Sequence, residues 1–170
     1  MPYVVQTEAI ELAQIDLVNL HRLAASEPVD FGGVHLFEGA LPPPHVVSRA
    51  LAQLQLGTPA LWCVPFLIIS RARRAALGGC TFKTMPVDGT VEIGYGVAAS
   101  ERGRGVATAA IRELLQMAAL SGLVQEVVAH IVPDNVASSR VVSRLGFTPG
   151  ERILEPDGET VVRWSWRVAS

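Results

Sequence analysis

Between residues 105 and 121 the apolar positions Ala107, Ala110, Ile111, Leu114, Leu115 and Ala118 fall at helical spacing. Arg112, Glu113 and Gln116 take the opposite face, and Gly122 follows as a stop. A similar stripe of Val46, Val47, Ala50, Leu51 and Leu54 predicts a helix from Pro44 to Leu56, with Pro44 in its first turn and Gly57 closing it. A third helix is expected from about Asp16 to Ala25, after a short strand around Ala9 to Leu12. Pro133-Asp134-Asn135 caps a fourth, which ends at Leu145-Gly146. Extended segments are expected from residue 62 onward: Trp62 to Ser70, Ala76 to Lys83, Thr90 to Val97, Glu126 to Val132, Glu151 to Glu155 and Thr160 to Val168. Phe31 to Pro43, rich in glycine and proline, is expected to be a loop. The order is mixed α/β, with an antiparallel meander, one β-α-β unit, a helix and a closing hairpin.

One strand stands apart. Along Thr90 to Val97 the residues Val91, Ile93, Tyr95 and Val97 share one side, and Glu92, Gly94 and Gly96 share the other. A face of one carboxylate and two glycines is not a core face. Its backbone is open to close approach by another molecule. In the last strand Val162, Trp164, Trp166 and Val168 alternate as core residues do.

Composition narrows the class. The 170 residues suit one domain, taken here as 1–170, and 49% of them are hydrophobic. The longest apolar run, Leu61 to Ile69, contains Pro65 and is half the ~18 residues a bilayer span needs, so it is expected to be a buried strand. Met1-Pro2-Tyr3-Val4 lacks the basic and apolar regions of a secretory leader. Cys63 and Cys80 lie in strand-like, apolar context without metal-ligand spacing. They are expected to be buried free thiols, which points to a cytoplasmic protein. His21, His35 and His45 show no ligand spacing either, so no metal is expected. His130, in mid-strand, is expected to be a packed histidine. A formal charge of −2 argues against nucleic-acid binding, and nothing calls for a membrane. The apolar composition is compatible with a homodimer. Residues 1–60 carry Glu8, Glu11, Asp16, Glu27, Asp30 and Glu38 against Arg22 and Arg49, and the remainder holds twelve of the fourteen basic residues. This split suits a cationic substrate on one side and an anionic cofactor on the other.

The chemistry centres on Glu101 to Ala107. Gly103 and Gly105 free the backbone between a strand and the strongest helix, whose first amides have no internal partner and carry partial positive charge. Such a turn receives a phosphate through N–H donors, with Arg102 and Arg104 adding full charges. The dinucleotide fingerprint fails, because Thr108 stands where a third glycine belongs, and the run from Gly94 to Ala99 ends a strand without opening a helix. A P-loop fails because Phe82 precedes Lys83-Thr84.

Arg102, Gly105 and Ala107 do fill an R/Q-x-x-G-x-G/A pattern. With Val91-Glu92-Ile93-Gly94-Tyr95 before it, and Asn135 to Ser139 and Leu145-Gly146-Phe147 after it, the stretch from about 76 to 150 resembles the GNAT superfamily of N-acetyltransferases, in particular its ribosomal-protein N-terminal branch. The resemblance implies a strongly bent, mostly antiparallel sheet of six or seven strands with about four helices. It implies acetyl-CoA as cosubstrate, its pyrophosphate on Arg102, Gly103, Arg104, Gly105, Val106 and Ala107, and its pantetheine between Thr90–Val97 and Glu126–Val132. An amide near Gly96 or Val97 would polarise the acetyl oxygen, and Asn135 would touch pantetheine or simply cap its helix. Glu92 would act as general base, directly or through water, or would only orient substrate. Many relatives place a tyrosine acid in the second helix of the motif; none exists there, and Ser138 takes the serine position of the N-terminal branch. The acceptor is a primary amine, either a protein N-terminus or a small molecule such as an amino sugar, polyamine or amino acid. A non-catalytic acyl-CoA-binding module is the alternative of another class.

Overall fold

The structure, a computed structural model, describes residues 8–169; Met1 to Val4, read as lacking the features of a secretory leader, lies outside the described residues. The chain runs β1 (Ile10–Gln14), α1 (Leu17–Ala24), β2 (His35–Leu36), α2 (Pro44–Gln55), β3 (Phe66–Ser70), β4 (Ala75–Phe82), β5 (Thr90–Val97), α3 (Val106–Leu120), β6 (Glu126–Ile131), α4 (Val136–Arg144), β7 (Thr148–Leu154) and β8 (Thr160–Arg167). Seven strands form one path, β1-β3-β4-β5-β6-β8-β7, antiparallel except where β5 meets β6. The eighth, β2, lies inside the segment expected to be a loop. Its two residues pair in parallel with Ala75 and Ala76 of β4.

Around β3 and β4 the sheet is covered on both faces, which is why these two strands are buried along nearly their whole length rather than alternating. All five residues of β3 are buried. Phe66 and Ile68 join one core with α3, while Leu67 and Ile69 join a second with Leu20 of α1 and Val47 of α2. The expected strand from Trp62 begins later, at Phe66. Pro65 has no N–H to give a ladder, and Ala60–Trp62 instead forms a 3₁₀ turn that still buries the Trp62 ring against Phe82.

In α3 the buried positions are Val106, Ala110, Ile111, Leu114, Leu115 and Ala118. Val106 therefore takes the place expected for Ala107, which turns partly outward. β7 starts three residues earlier than expected, through a register shift between Pro149 and Arg152. Trp164 and Trp166 are partly buried against the α3-side core.

Leu114 is fully buried at the centre of the α3 face. Replacing it with alanine is expected to lower unfolding free energy by about 2–5 kcal/mol, measured by urea denaturation with an unchanged m-value.

Candidate active site

β5 and β6 pair through only three residues, Thr90 with Glu126, Val91 with Val127 and Glu92 with Val128. Beyond them β5 stays on β4, as far as the Val97–Gly78 pair, and β6 stays on β8, as far as Ile131–Val162. The strands therefore part from Ile93 onward, and two clefts open around the gap, of about 420 and 500 Å³. Tyr95, Gly96, Asn135 and Ser138 line both, so the clefts meet at these four residues. A Cβ at Gly96 would touch no protein atom within 4 Å. The protein's own packing does not require glycine there; room for a ligand against the strand does.

The larger cleft contains the predicted turn. Gly103 and Gly105 adopt φ of 76° and 79°, the left-handed region that other residues resist, and Gly105 is the N-cap of α3. Among the described residues the amides from Gly103 to Thr108 donate to no protein acceptor, so the start of α3 presents a row of free N–H groups. Val97, Arg102, Val106 and Ala107 line this cleft with them. Arg102 Nε also donates to Val97 O at 3.3 Å, tying the turn to the end of β5. Arg104 does not line the cleft; its guanidinium leans towards Glu101 at 3.7 Å. Sequence reasoning missed Arg140 and Arg144, one helical turn apart on α4, which bring two further cations to the same wall. Their spacing was visible, but not the face of α4 they occupy.

The turn is anchored from behind. Glu101 is 4% exposed and receives two hydrogen bonds from Arg73, from Nη1 at 3.0 Å and from Nη2 at 2.7 Å. Arg73 also donates to both carboxylate oxygens of Glu8, at 2.8 and 2.7 Å, and Ser70 Oγ donates to Glu8 as well. The Arg73 hydrogen bonds hold both carboxyls below their usual range; Glu8, with help from Ser70, is lowered from 4.5 to about 2. The residue that starts the phosphate-type turn is thus fixed to the β3–β4 connection by a charge-assisted clamp.

The smaller cleft lies on the other side of the junction. Glu92 is held from two sides: Lys83 Nζ stands 2.8 Å from Oε2, and His130 Nδ1 stands 2.6 Å from Oε1. Lys83 and His130 line the cleft, whereas Glu92 sits behind them. His130, expected as a packed histidine, contacts Glu92, and its Nε2 is buried without a protein partner among the described residues. Asn135 caps α4, its Oδ1 accepting from the Ser138 amide at 3.1 Å. The Tyr95 hydroxyl, expected on a core face, reaches the Ser138 carbonyl at 3.4 Å, and burial pushes its pKa up. Cys80 lines the cleft and Cys63 does not; both are free and buried, and burial pushes both thiols up, away from the reactive thiolate. Among the described residues no cluster could hold a metal ion, and no helix is long and apolar enough to cross a membrane.

The charge split along the chain did not translate into an acidic wall. Asp16 caps α1, Glu8 pairs with Arg73 and Glu11 with Arg71, and none of the acidic residues of the first third lines either cleft. Neither Trp164 nor Trp166 lines them.

The site is thus framed by a mixed sheet whose parallel pair parts beside an amide-rich helix start. A family model of the acetyltransferase (GNAT) domain matches residues 14–148, and the chain belongs to that family. No curated protein matches the chain by sequence at a significant level. Among solved structures, the fold is similar to RimL, a ribosomal L7/L12 alpha-N-protein acetyltransferase in apo form, at 21% identity and TM-score 0.66 over 98% of this chain and 97% of that one. It is similar to the ribosomal-protein-S5-alanine acetyltransferase from Vibrio fischeri at 15% identity and TM-score 0.68, over 95% and 94% of the two chains. It is also similar to the aminoglycoside acetyltransferase AAC(6')-Ib in complex with coenzyme A, at 18% identity and TM-score 0.65, over 94% and 95%.

The lowered Glu8 and Glu101 carboxyls stabilise the fold fully above about pH 4.5, and that contribution is lost as pH falls below it, for Glu8 through about 2. Arg73→Gln is therefore expected to lower the melting temperature at neutral pH and to flatten the acid limb of stability between those values. Parallel acid limbs for the two proteins would disprove the clamp.

Proposed function

We propose that this protein moves an acetyl group from acetyl-CoA to a primary amine by direct attack, and that the acceptor is the α-amine of a polypeptide N-terminus. The observation that carries this is the meeting of two chemically different clefts at Tyr95, Gly96, Asn135 and Ser138. On one side, free amides with Arg102, Arg140 and Arg144 suit the coenzyme diphosphate. On the other stand the Lys83–Glu92–His130 group and room for an amine.

In the reaction the amine nitrogen bonds to the thioester carbonyl carbon, the C–S bond breaks, the amine gives up a proton and the departing thiolate takes one. The amine proton passes through water to the Glu92–His130 pair. An amide near Gly96 or Val97 polarises the acetyl oxygen. Ser138 stands at the junction to hydrogen-bond the sulfur, and a thiol of pKa about 8.5 leaves with little help. Asn135 keeps its Nδ2 for the pantetheine arm while Oδ1 caps α4. Neither cysteine is suited to an acyl-enzyme step.

The preference for an α-amine rests on proton chemistry. With a pKa of about 7.7–8.0 it is roughly a tenth neutral at pH 7, whereas a lysine amine near 10.4 requires about 3.5 kcal/mol more. A base that reaches the amine only through an imidazole and water suits the easier proton.

Glu92→Gln is expected to lower kcat towards an α-amine peptide by about 10²-fold or more at pH 7, with the loss shrinking as pH rises past the amine pKa. Free-thiol release checks this, and full activity across about pH 6–9 would remove Glu92 from the mechanism.

A further inference from the structure

The smaller cleft has an electrostatic imbalance that the transfer chemistry does not use. Among the described residues no aspartate or glutamate lines it, whereas Arg49, Lys83, His45 and His130 do. Glu92, behind the wall, is already engaged by Lys83 and His130. Arg49 makes no salt bridge within 4 Å and no side-chain hydrogen bond among the described residues. It is nonetheless half-buried, and burial pushes its guanidinium down from its ordinary value, with the Glu92 carboxylate pulling the other way from beyond contact distance. A cation withdrawn from water without a contacting partner is costly, and an arriving anion recovers part of that cost.

The placement is fixed by the fold. His45, Arg49 and Gln53 follow one another at four-residue spacing on α2, so they form one stripe. Gln53 Nε2 donates to the Lys83 carbonyl at 2.6 Å and pins that stripe to the end of β4. One turn along, Arg49 faces the cleft, and the remaining α2-side wall is apolar, from Leu41, Pro42, Pro43 and Val46. A guanidinium set in an apolar wall offers a planar fork of donors that matches a carboxylate.

We infer that the acceptor carries a carboxylate close to its reacting amine, and that Arg49 receives it in this cleft. The inference rests on the acetyl transfer to an amine proposed above and adds a charge to its acceptor. Polycationic acceptors such as polyamines and aminoglycosides find no carboxylate on this wall. The carboxylate has two possible sources, an acidic side chain at the second or third position of a peptide or the main-chain carboxylate of a small amino acid. The wall chemistry is the same for both.

The test is calorimetric titration of the coenzyme A-loaded protein, run beside thiol release from acetyl-CoA. The probes are C-terminally amidated peptides that begin with alanine and carry Asp or Lys at the second or third position, free alanine against alaninamide, and spermidine. A carboxylate-bearing probe should bind about tenfold or more tighter than its neutral or cationic twin. Preference for the acidic amidated peptide identifies a side-chain source, and preference for free alanine a main-chain one. Arg49→Gln should erase the preference and Arg49→Glu should invert it. If Arg49→Glu does not keep a native melting transition, Arg49→Gln alone decides. Equal binding of the twins, tighter binding of spermidine, or a preference that survives both variants would overturn the inference. Thiol release without acid preference would leave the transferase reading standing while this inference falls. Arg49-dependent binding without thiol release would do the reverse.

Discussion

The parting of β5 from β6 is the constraint on which the rest of the molecule depends. Three residue pairs hold the strands together, and then each follows a stronger antiparallel neighbour, β4 or β8. The facing edges of Ile93–Val97 and Ala129–Ile131 are left without strand partners inside the sheet. Backbone donors and acceptors in such a gap need company, from water or from a ligand that lies along the strand. The two glycines of β5 leave that edge without bulk, and the helix that follows β5 opens where the gap is widest to an anion. In the proposed reading, fold and cosubstrate site are one feature seen at two scales.

Around this gap the charges are divided. Free amides and three arginines gather on the α3–α4 side, where a diphosphate is suited, and the clamp from Arg73 to Glu101 holds the turn from outside the cleft. On the α2 side the wall is apolar and cationic without a lining carboxylate; behind it Glu92 is committed to Lys83 and His130, and Glu155 stands 3.7 Å from the same imidazole. Fold similarity at 18% identity to an aminoglycoside acetyltransferase carries no acceptor information, so the acceptor has to be argued from this wall.

Much of this was legible in the residues. β5 has the expected bounds, because apolar and small positions alternate between turn residues, and α3 is displaced by only one residue at each end. The Arg102–Ala107 turn was legible because glycines at left-handed positions leave few other readings. The illegible parts are those set by tertiary contact. β2 has two residues and exists only because β4 offers an edge. Arg73 and Glu101 are 28 residues apart, and their pairing depends on the β3–β4 connection folding back beside the end of β5. His130 gave no sequence signal beyond its strand, and its role appears only beside Glu92. The acid-rich first third misled because caps and surface pairs absorb those acids before they can face a substrate.

The central claim is that the gap at Gly96 is the seat of the cosubstrate. Its most direct test is calorimetric titration of acetyl-CoA into Gly96→Val, a substitution for which the first added carbon meets open space and a β-branched side chain suits the strand. The account predicts an unchanged melting temperature with acetyl-CoA affinity reduced by about 10²-fold or more, the loss of a few kcal/mol of contact along the strand. Wild-type affinity in a folded Gly96→Val protein would contradict it.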